Sequence, residues 1–237
     1  MDYFYTLPEN ISTDSVLIGG DEFSHLTHVM RKNVGDEIRV VDGLGMAYDV
    51  LLTELKKKTA HGTITKRYLN HNEPLIAVTL AVGILKNPSR FDFLVEKVTE
   101  LGVREIIPLR TERTIPSHAK TDRWQKLALA AMKQSGRAYL PHVRELVWLE
   151  DVLSASTAFN IRLIAHEQPI NNVPSVEQKK RQSILLLVGP EGGFSNEEVE
   201  KCVTAGCTPL YLGERRLRTE TAAVVGVGLL THGKIIS

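Results

Sequence analysis

Residues 185–195 read LLLVGPEGGFS, and residues 210–222 read LYLGERRLRTETA. In both segments an apolar run of strand type stops at glycine, and a sequence of helical type follows. Glycine allows close approach to the backbone, so each segment predicts a strand end with exposed N–H and C=O groups. Open α/β sheets bind ligands at such strand ends. The two segments therefore predict one site formed by a first loop, Gly189–Gly193, and a second loop, Leu212–Thr219.

The glycine pattern excludes the common phosphate-binding fingerprints. GPEGG is neither GxGxxG nor GxxxxGK[ST], and Gly226 and Gly228 lie inside a helical run instead of after a strand. The sequence therefore carries no fingerprint for ordinary dinucleotide or triphosphate binding. The turn leads into a helix whose Ser195 and Glu198 are predicted to form a capping box. The plainer alternative to a ligand site is a tight strand-to-helix connection.

The rest of the chain changes its hydrophobic period near Pro74. Short alternating stretches with one helix, from Asp21 to Lys32, precede it, which predicts a small β-barrel domain over residues 1–73. Strand and helix patterns alternate after it, which predicts an α/β domain with a parallel sheet over residues 74–237. The predicted elements that begin this second domain are a strand at 75–85, a helix at 90–101 and a strand at 105–109.

Composition limits the class of protein. A chain of 237 residues with 43% hydrophobic and 24% charged residues is typical of a globular protein of one or two domains. Cys202 and Cys207 lack partners at metal-ligand spacing, so neither a metal site nor a disulfide framework is expected. No basic leader or bilayer-length apolar run is present, so we expect a cytoplasmic protein without a membrane partner. The net charge of +1 means that any nucleic-acid contacts must come from local patches.

Both loops closely resemble the signature loops of the RsmE family of 16S rRNA uridine-N3 methyltransferases, within the SPOUT superfamily. The resemblance extends along nearly the whole chain and keeps the order and spacing of the family motifs. The other matching stretches are His25–Arg31 with Gly35-Asp36, Glu96-Lys97 with Thr99–Val103, Glu112–Thr114, Arg123-Trp124, and Gln134–Arg137 with Pro141.

The resemblance implies a fold, a cofactor and partners. It implies a PUA-like β-barrel followed by an α/β domain whose last strands and helix form a trefoil knot, a topology that sequence rules alone would exclude. It also implies S-adenosylmethionine as cofactor, a homodimer, and 16S rRNA of the small ribosomal subunit as substrate. The residues that would bind the cofactor are Gly189, Pro190, Gly192, Gly193, Leu212, Gly213, Leu217, Arg218 and Thr219.

The implied reaction moves a methyl group from a sulfonium to N3 of uridine, which requires alignment and loss of a weakly acidic proton. Glu191 and Glu220 are candidate bases, and Arg218 is a candidate cation to stabilise the uridine anion. In the plainer alternative Glu220 caps its helix and Arg218 pairs with it.

An RNA substrate directs attention to exposed basic residues. On the helix predicted from Asp122, the residues Arg123, Lys126, Lys133 and Arg137 form a basic stripe at helical spacing, unless that stripe is only a solvated face. The residues that we expect to contact RNA are Arg31, Lys32, Lys86, Arg90, Arg113, Arg123, Lys133 and Arg137.

Two other functions fit the same sequence. A related SPOUT enzyme could methylate a ribose 2′-hydroxyl with the same type of pocket. A noncatalytic RNA-binding or ribosome assembly factor could retain the fold without turnover, since fold alone does not establish activity.

Overall fold

The computed structural model describes residues 2–166 and 182–232. Two compact units are present. The first joins the segment up to Glu73 with Met132–Leu140, and the second joins Pro74–Ala131 with the segment from Pro141 onward. The division at Pro74 places residues 132–140 in the second predicted domain, whereas they lie within the first compact unit.

The first unit is a five-stranded sheet with the strand order β1-β3-β4-β5-β2. Only the β1–β3 pair is parallel. The Thr6 hydroxyl, directly after β1, donates to the carbonyl of Leu17 in β2 at 2.8 Å, so the two edge strands approach each other as in a barrel. The strands are β1 (Tyr3–Tyr5), β2 (Ser15–Gly19), β3 (Glu37–Val41), β4 (Met46–Leu55) and β5 (Thr59–Leu69).

The predicted helix of the first unit is shorter than expected and irregular. Helix α1 (Gly20–Ser24) continues directly into a π-helical segment, His25–Val29. Arg31 then takes a positive φ of 52°, which ends the helical path before Lys32. Buried side chains of the strands and of this helix, among them Phe4 and Leu26, form the core of the unit.

Residues 132–140 complete the first unit through buried polar contacts. Arg137 donates two hydrogen bonds to Glu73 Oε2, at 3.2 and 2.6 Å, and the backbone N–H groups of Ala138 and Tyr139 donate to Glu73 Oε1 at 3.1 and 2.9 Å. Only 3% of the Arg137 side chain is exposed. The segment is therefore tied to the first unit by buried polar contacts.

The second unit contains a parallel sheet with the order β12-β10-β11-β6-β7-β8, and the short β9 also pairs with β7. Its strands are β6 (Ile76–Gly83), β7 (Glu105–Arg110), β8 (His142–Val143), β9 (Val147–Trp148), β10 (Ile161–His166), β11 (Gln182–Val188) and β12 (Thr208–Tyr211). Its helices are α2 (Pro88–Glu100), α3 (Thr121–Gln134), α4 (Leu149–Ser154), α5 (Asn196–Thr204) and α6 (Thr219–His232), the last three residues of α3 counting with the first unit.

Strand β11 shows why its sequence is continuously apolar. Leu185 and Leu187 pack with Leu149 and Cys202, from α4 and α5, on one face of the sheet. On the other face, a Cβ placed on Gly226 of α6 would lie 2.8 Å from Leu186 Cδ2. Both faces are therefore covered by helices, as in other parallel sheets. The trefoil knot that the resemblance implies for the last strands and α6 stays a prediction.

None of the helices within the described residues has the length and hydropathy needed to cross a lipid bilayer.

Candidate functional site

The two glycine loops line the same cleft. Strands β10, β11 and β12 are parallel neighbours, so their carboxyl ends lie along one edge of the sheet. The first loop follows β11 and the second loop follows β12. Together with side chains from neighbouring segments they enclose about 830 Å³, which lies within the usual range of roughly 300–1,000 Å³ for ligand pockets.

The first loop is a tight turn against the end of β6. The N–H of Gly193 donates to the carbonyl of Pro190 at 2.8 Å, and Gly193 has a φ of +68°. A Cβ placed on Gly83, the last residue of β6, would lie only 2.3 Å from the nitrogen of Pro190. The loop is therefore seated on a strand end that has no room for a side chain.

Polar groups from two other segments brace the first loop. Arg113 Nη1 donates to the carbonyl of Gly192 at 2.6 Å. Glu191 Oε1 accepts from the backbone N–H of Lys86 at 3.1 Å and from Arg90 Nη1 at 3.4 Å. These contacts hold the loop backbone in place while its glycines remain at the cleft.

The predicted capping box after the first loop is confirmed. Ser195 Oγ accepts from the N–H of Glu198 at 3.3 Å, and Glu198 Oε2 accepts from the N–H of Ser195 at 2.9 Å. The other oxygen of Glu198 accepts from the N–H of Glu112 at 2.8 Å. The box thus also ties α5 to the segment that carries Arg113.

The second loop presents a basic rim to the cleft. Gly213 has a φ of +107°, and a Cβ built on it would meet nothing within 4 Å. Exposed residues Glu214, Arg215, Arg216 and Arg218 follow, while Leu217 is half-buried. Thr219 is the first residue of α6, so the positive end of the helix dipole lies at the cleft.

Glu220 is an anchored carboxylate. Its side chain is 9% exposed and accepts hydrogen bonds from Arg90 Nε at 2.9 Å and Arg90 Nη2 at 2.6 Å. Burial by itself raises the pKa of Glu220, but the hydrogen bonds from Arg90 and from its own backbone N–H outweigh that effect and leave the pKa below its usual value. Glu220 therefore pairs with Arg90. In the plainer interpretation of the sequence, Arg218 is its partner.

Several predicted RNA contacts are already engaged within the protein. Lys32 pairs with Asp2 at 2.8 Å, Lys133 pairs with Glu22, and Arg123 pairs with Asp92 at 2.7 Å. Arg90 and Arg113 brace the first loop, whereas Arg31 and Lys86 are exposed.

The predicted basic stripe is wrong in its helical geometry. Helix α3 ends at Gln134, and Gly136 has a φ of +69°. Arg137 therefore lies beyond the helix, and its burial with Glu73 removes it from any RNA-facing surface. Arg123, Lys126 and Lys133 are on the helix, but two of them hold carboxylates.

Sequence reasoning missed two features of the cleft. His166, the last residue of β10, lines it and is half-buried. The largely apolar stretch at residues 161–165 directly precedes this residue, so its position at a strand end could have identified it. The bracing roles of Arg90 and Arg113 had no local signal, because their partners lie far away in the sequence.

The fold and the cleft together define the chain as a member of a class of RNA methyltransferases. The family model of the RNA methyltransferase domain matches residues 71–231 of the sequence. The family model of the RNA methyltransferase PUA domain matches residues 18–65. Within this class, the chain belongs to the ribosomal RNA small subunit methyltransferase E family.

Relatives and solved structures carry that assignment. The ribosomal RNA small subunit methyltransferase E of Synechocystis is 32% identical over 93% of this chain and 74% of its own length. The Bacillus subtilis protein of the same name is 28% identical over 91% and 89%. A crystal structure of the Neisseria gonorrhoeae ribosomal RNA small subunit methyltransferase E, bound to S-adenosyl methionine, is 33% identical, with a TM-score of 0.84 over 96% of this chain and 95% of the other.

Proposed function

We propose that this chain transfers the methyl group of S-adenosylmethionine to N3 of a uridine in the 16S rRNA of the small ribosomal subunit. The observation that carries the proposal is the convergence of both glycine loops on one cleft with a basic rim. Names of the relatives support the substrate, and the ligand of the Neisseria gonorrhoeae structure supports the cofactor.

The residues at the cleft fit S-adenosylmethionine. Built Cβ atoms on Gly193 and Gly213 would meet nothing within 4 Å, so the backbone is open to a ligand at one point in each loop. Exposed backbone groups at these points can bind adenine and ribose edges. The first loop and the backbone from Leu212 to Leu217 would hold the cofactor, which supplies an electrophilic methyl group when bound.

The chain's own residues must orient the uridine and stabilise its N3 anion. Arg218 is exposed at the rim, and its carbonyl accepts from the N–H of Ala222 at 2.8 Å, so it leads directly into α6. Its guanidinium and the positive helix end together favour negative charge at this place. Glu191 remains the candidate to accept the N3 proton, because its side chain is 32% exposed and its contact with Arg90 is long, at 3.4 Å, whereas Glu220 is 9% exposed and accepts two short hydrogen bonds from Arg90.

RNA binding requires exposed cations that can contact phosphates. Arg31, Lys86 and the second-loop arginines are the exposed basic residues that we propose for phosphate contacts. Such contacts would position the RNA, whereas the cleft itself would select the base.

We further propose that two copies associate through α6 and α2. Val225 and Leu229, four residues apart on α6, are 37% and 43% exposed, and Phe93 on α2 is 47% exposed. Helices α2 and α6 pack against each other, and exposed apolar side chains that form one patch are typical of a protein–protein contact. Sedimentation analysis of Leu229→Arg tests the proposal: wild type should sediment as a dimer and the variant as a monomer.

The decisive test of the activity uses small ribosomal subunits that lack the modification. Incubation with labelled S-adenosylmethionine, followed by nucleoside analysis, should yield N3-methyluridine from 16S rRNA. Label on a ribose 2′-oxygen would replace the proposal by the alternative SPOUT reaction. Absence of both label and cofactor binding at millimolar concentration would favour a noncatalytic assembly factor. Such an enzyme would act in the cytoplasm, where its ribosomal substrate is assembled.

A further inference from the structure

Arg90 is a side chain that bonds to both sides of the cleft. Its Nε and Nη2 donate to the two oxygens of Glu220 in the first turn of α6, at 2.9 and 2.6 Å. Its Nη1 donates to Glu191 of the first loop at 3.4 Å. One guanidinium therefore connects the first loop to the helix that follows the second loop.

The segment that carries Arg90 is itself fixed against the first loop. Gly83, at the end of β6, lies so close to Pro190 that a Cβ atom on it would clash with that residue. The backbone N–H of Lys86 donates to the same Glu191 oxygen that Arg90 approaches. Asn87 Oδ1 accepts from the N–H of Ser89 at 3.0 Å and so caps α2, whose first turn includes Arg90. Arg90 thus starts from a rigid position next to the first loop and reaches α6.

We propose that Arg90 is a positioning residue for the methyl-donor site, which sets the first loop against the start of α6, and that Glu220 is its anchor and not a proton acceptor. The inference rests on the proposed function for the identity of the ligand. It assigns to Arg90 a task that differs from the phosphate contact expected from the sequence.

The chemistry of arginine suits this task. Its planar guanidinium can present Nε and Nη2 side by side to one carboxylate while Nη1 remains available for a second group. A lysine ammonium has the charge but not the fork, so it can satisfy Glu220 or approach Glu191 without holding both in this geometry. Arg90→Lys should therefore be a partial variant, and Arg90→Met, which retains much of the apolar stem, the full one.

Calorimetric titration with S-adenosylmethionine alone is the first test. Arg90→Met should raise the Kd about 10–100-fold, by analogy with the loss of residues that orient metal ligands, and the Kd of Arg90→Lys should fall between it and that of wild type. The matched control is Arg39→Met, which removes another arginine that donates twice to a buried carboxylate, Asp49, at 2.8 and 2.5 Å. Arg39 lies in the first unit and does not line the cleft, so its loss should leave the Kd unchanged.

The second test separates an anchor from a base. Glu220→Gln should raise the Kd for the cofactor and leave kcat at saturating cofactor within a few-fold of wild type. Loss of a general base would instead lower kcat by about 10²–10⁴-fold with little change in Kd. That second pattern would overturn the assignment of Glu220.

The outcomes also separate this inference from the proposed function. If wild type does not bind S-adenosylmethionine, the proposed function fails. If wild type binds it and a folded Arg90→Met binds it equally well, only the role of Arg90 fails. Circular dichroism and thermal unfolding identify the variants that fold. If Arg90→Met does not fold, the Kd of Arg90→Lys decides: a Kd above those of wild type and Arg39→Met supports the inference, and an equal Kd overturns it.

Discussion

The backbone of Gly83 lies so close to Pro190 that no residue with a side chain fits at position 83. A Cβ on Gly83 would lie 2.3 Å from the backbone nitrogen of Pro190 and 2.6 Å from its ring Cδ. Backbone and a proline ring cannot move aside as the end of a flexible side chain can. The first loop can therefore pack against the end of β6 only because residue 83 is a glycine.

Gly83→Ala should therefore destabilise the protein by about 1–3 kcal/mol, the usual cost of overpacking. It should also weaken cofactor binding, because the first loop must shift. Urea unfolding and calorimetric titration measure the two effects. Gly228→Ala is the control: a Cβ there would meet Leu101 at an ordinary 3.6 Å, and alanine is favoured over glycine within a helix. Equal unfolding midpoints for both variants would contradict the close contact.

Glu73→Gln should be strongly destabilising. Its carboxylate accepts from Arg137 and from two backbone N–H groups, and the change leaves the buried Arg137 charge without a compensating anion. Breaking a buried pair by removing one partner costs about 3–5 kcal/mol. Glu54→Gln, at an exposed pair with Lys56, should cost no more than about 1 kcal/mol. Thermal unfolding of both variants checks the difference, and similar midpoints would show that the buried pair adds little.

Arg31→Gln and Lys86→Gln should each weaken binding to the small ribosomal subunit and reduce its salt dependence. Each lost phosphate contact should lower the slope of log K against log salt by about 0.7–0.9. Filter binding at several salt concentrations measures the slope. Lys201→Gln, which loses an exposed pair with Glu150, serves as the control. Unchanged slopes would remove Arg31 and Lys86 from the RNA surface.

Arg218→Ala should reduce kcat by about 10²-fold or more if its guanidinium stabilises the uridine anion. Because the neutral imide loses its proton more readily at high pH, activity of the variant should rise with pH more steeply than that of wild type. Single-turnover methylation at saturating cofactor and RNA from pH 6 to 9 measures this. Wild-type rates in the variant would exclude the role.

The anchor Glu220 predicts a definite pH dependence of stability. Its pKa in the folded protein lies below the usual 4.5, so its stabilising contribution is present above pH 4.5 and disappears as the pH falls through the lower folded value. The gap in unfolding midpoint between wild type and Glu220→Gln should therefore be constant from pH 7 to 5 and close under more acidic conditions. A gap that widens in acid would have the wrong sign.

Local patterns predicted what local chemistry determines. The apolar run of β11, the turn at GPEGG and the Ser195–Glu198 box depend on neighbours in sequence, and all are present. Arg90 and Glu220 are 130 positions apart, and their pairing follows only from the way that α2 and α6 pack. The predicted basic stripe is wrong for a different reason. It continues the helical spacing past Gly136, although a glycine at that position already indicates the end of the helix.

The assignment of Met132–Leu140 to the first unit bears on how the chain is made. A polypeptide emerging from the ribosome presents β1 to β5 long before the residues that supply Arg137 to Glu73 and pair Tyr139 with Gly43. The N-terminal unit cannot complete these buried contacts until residue 140 has left the exit tunnel, by which time β6, α2 and β7 are also outside. Its maturation therefore waits until more than half of the chain has been made, and a fragment ending at Glu73 would lack these contacts.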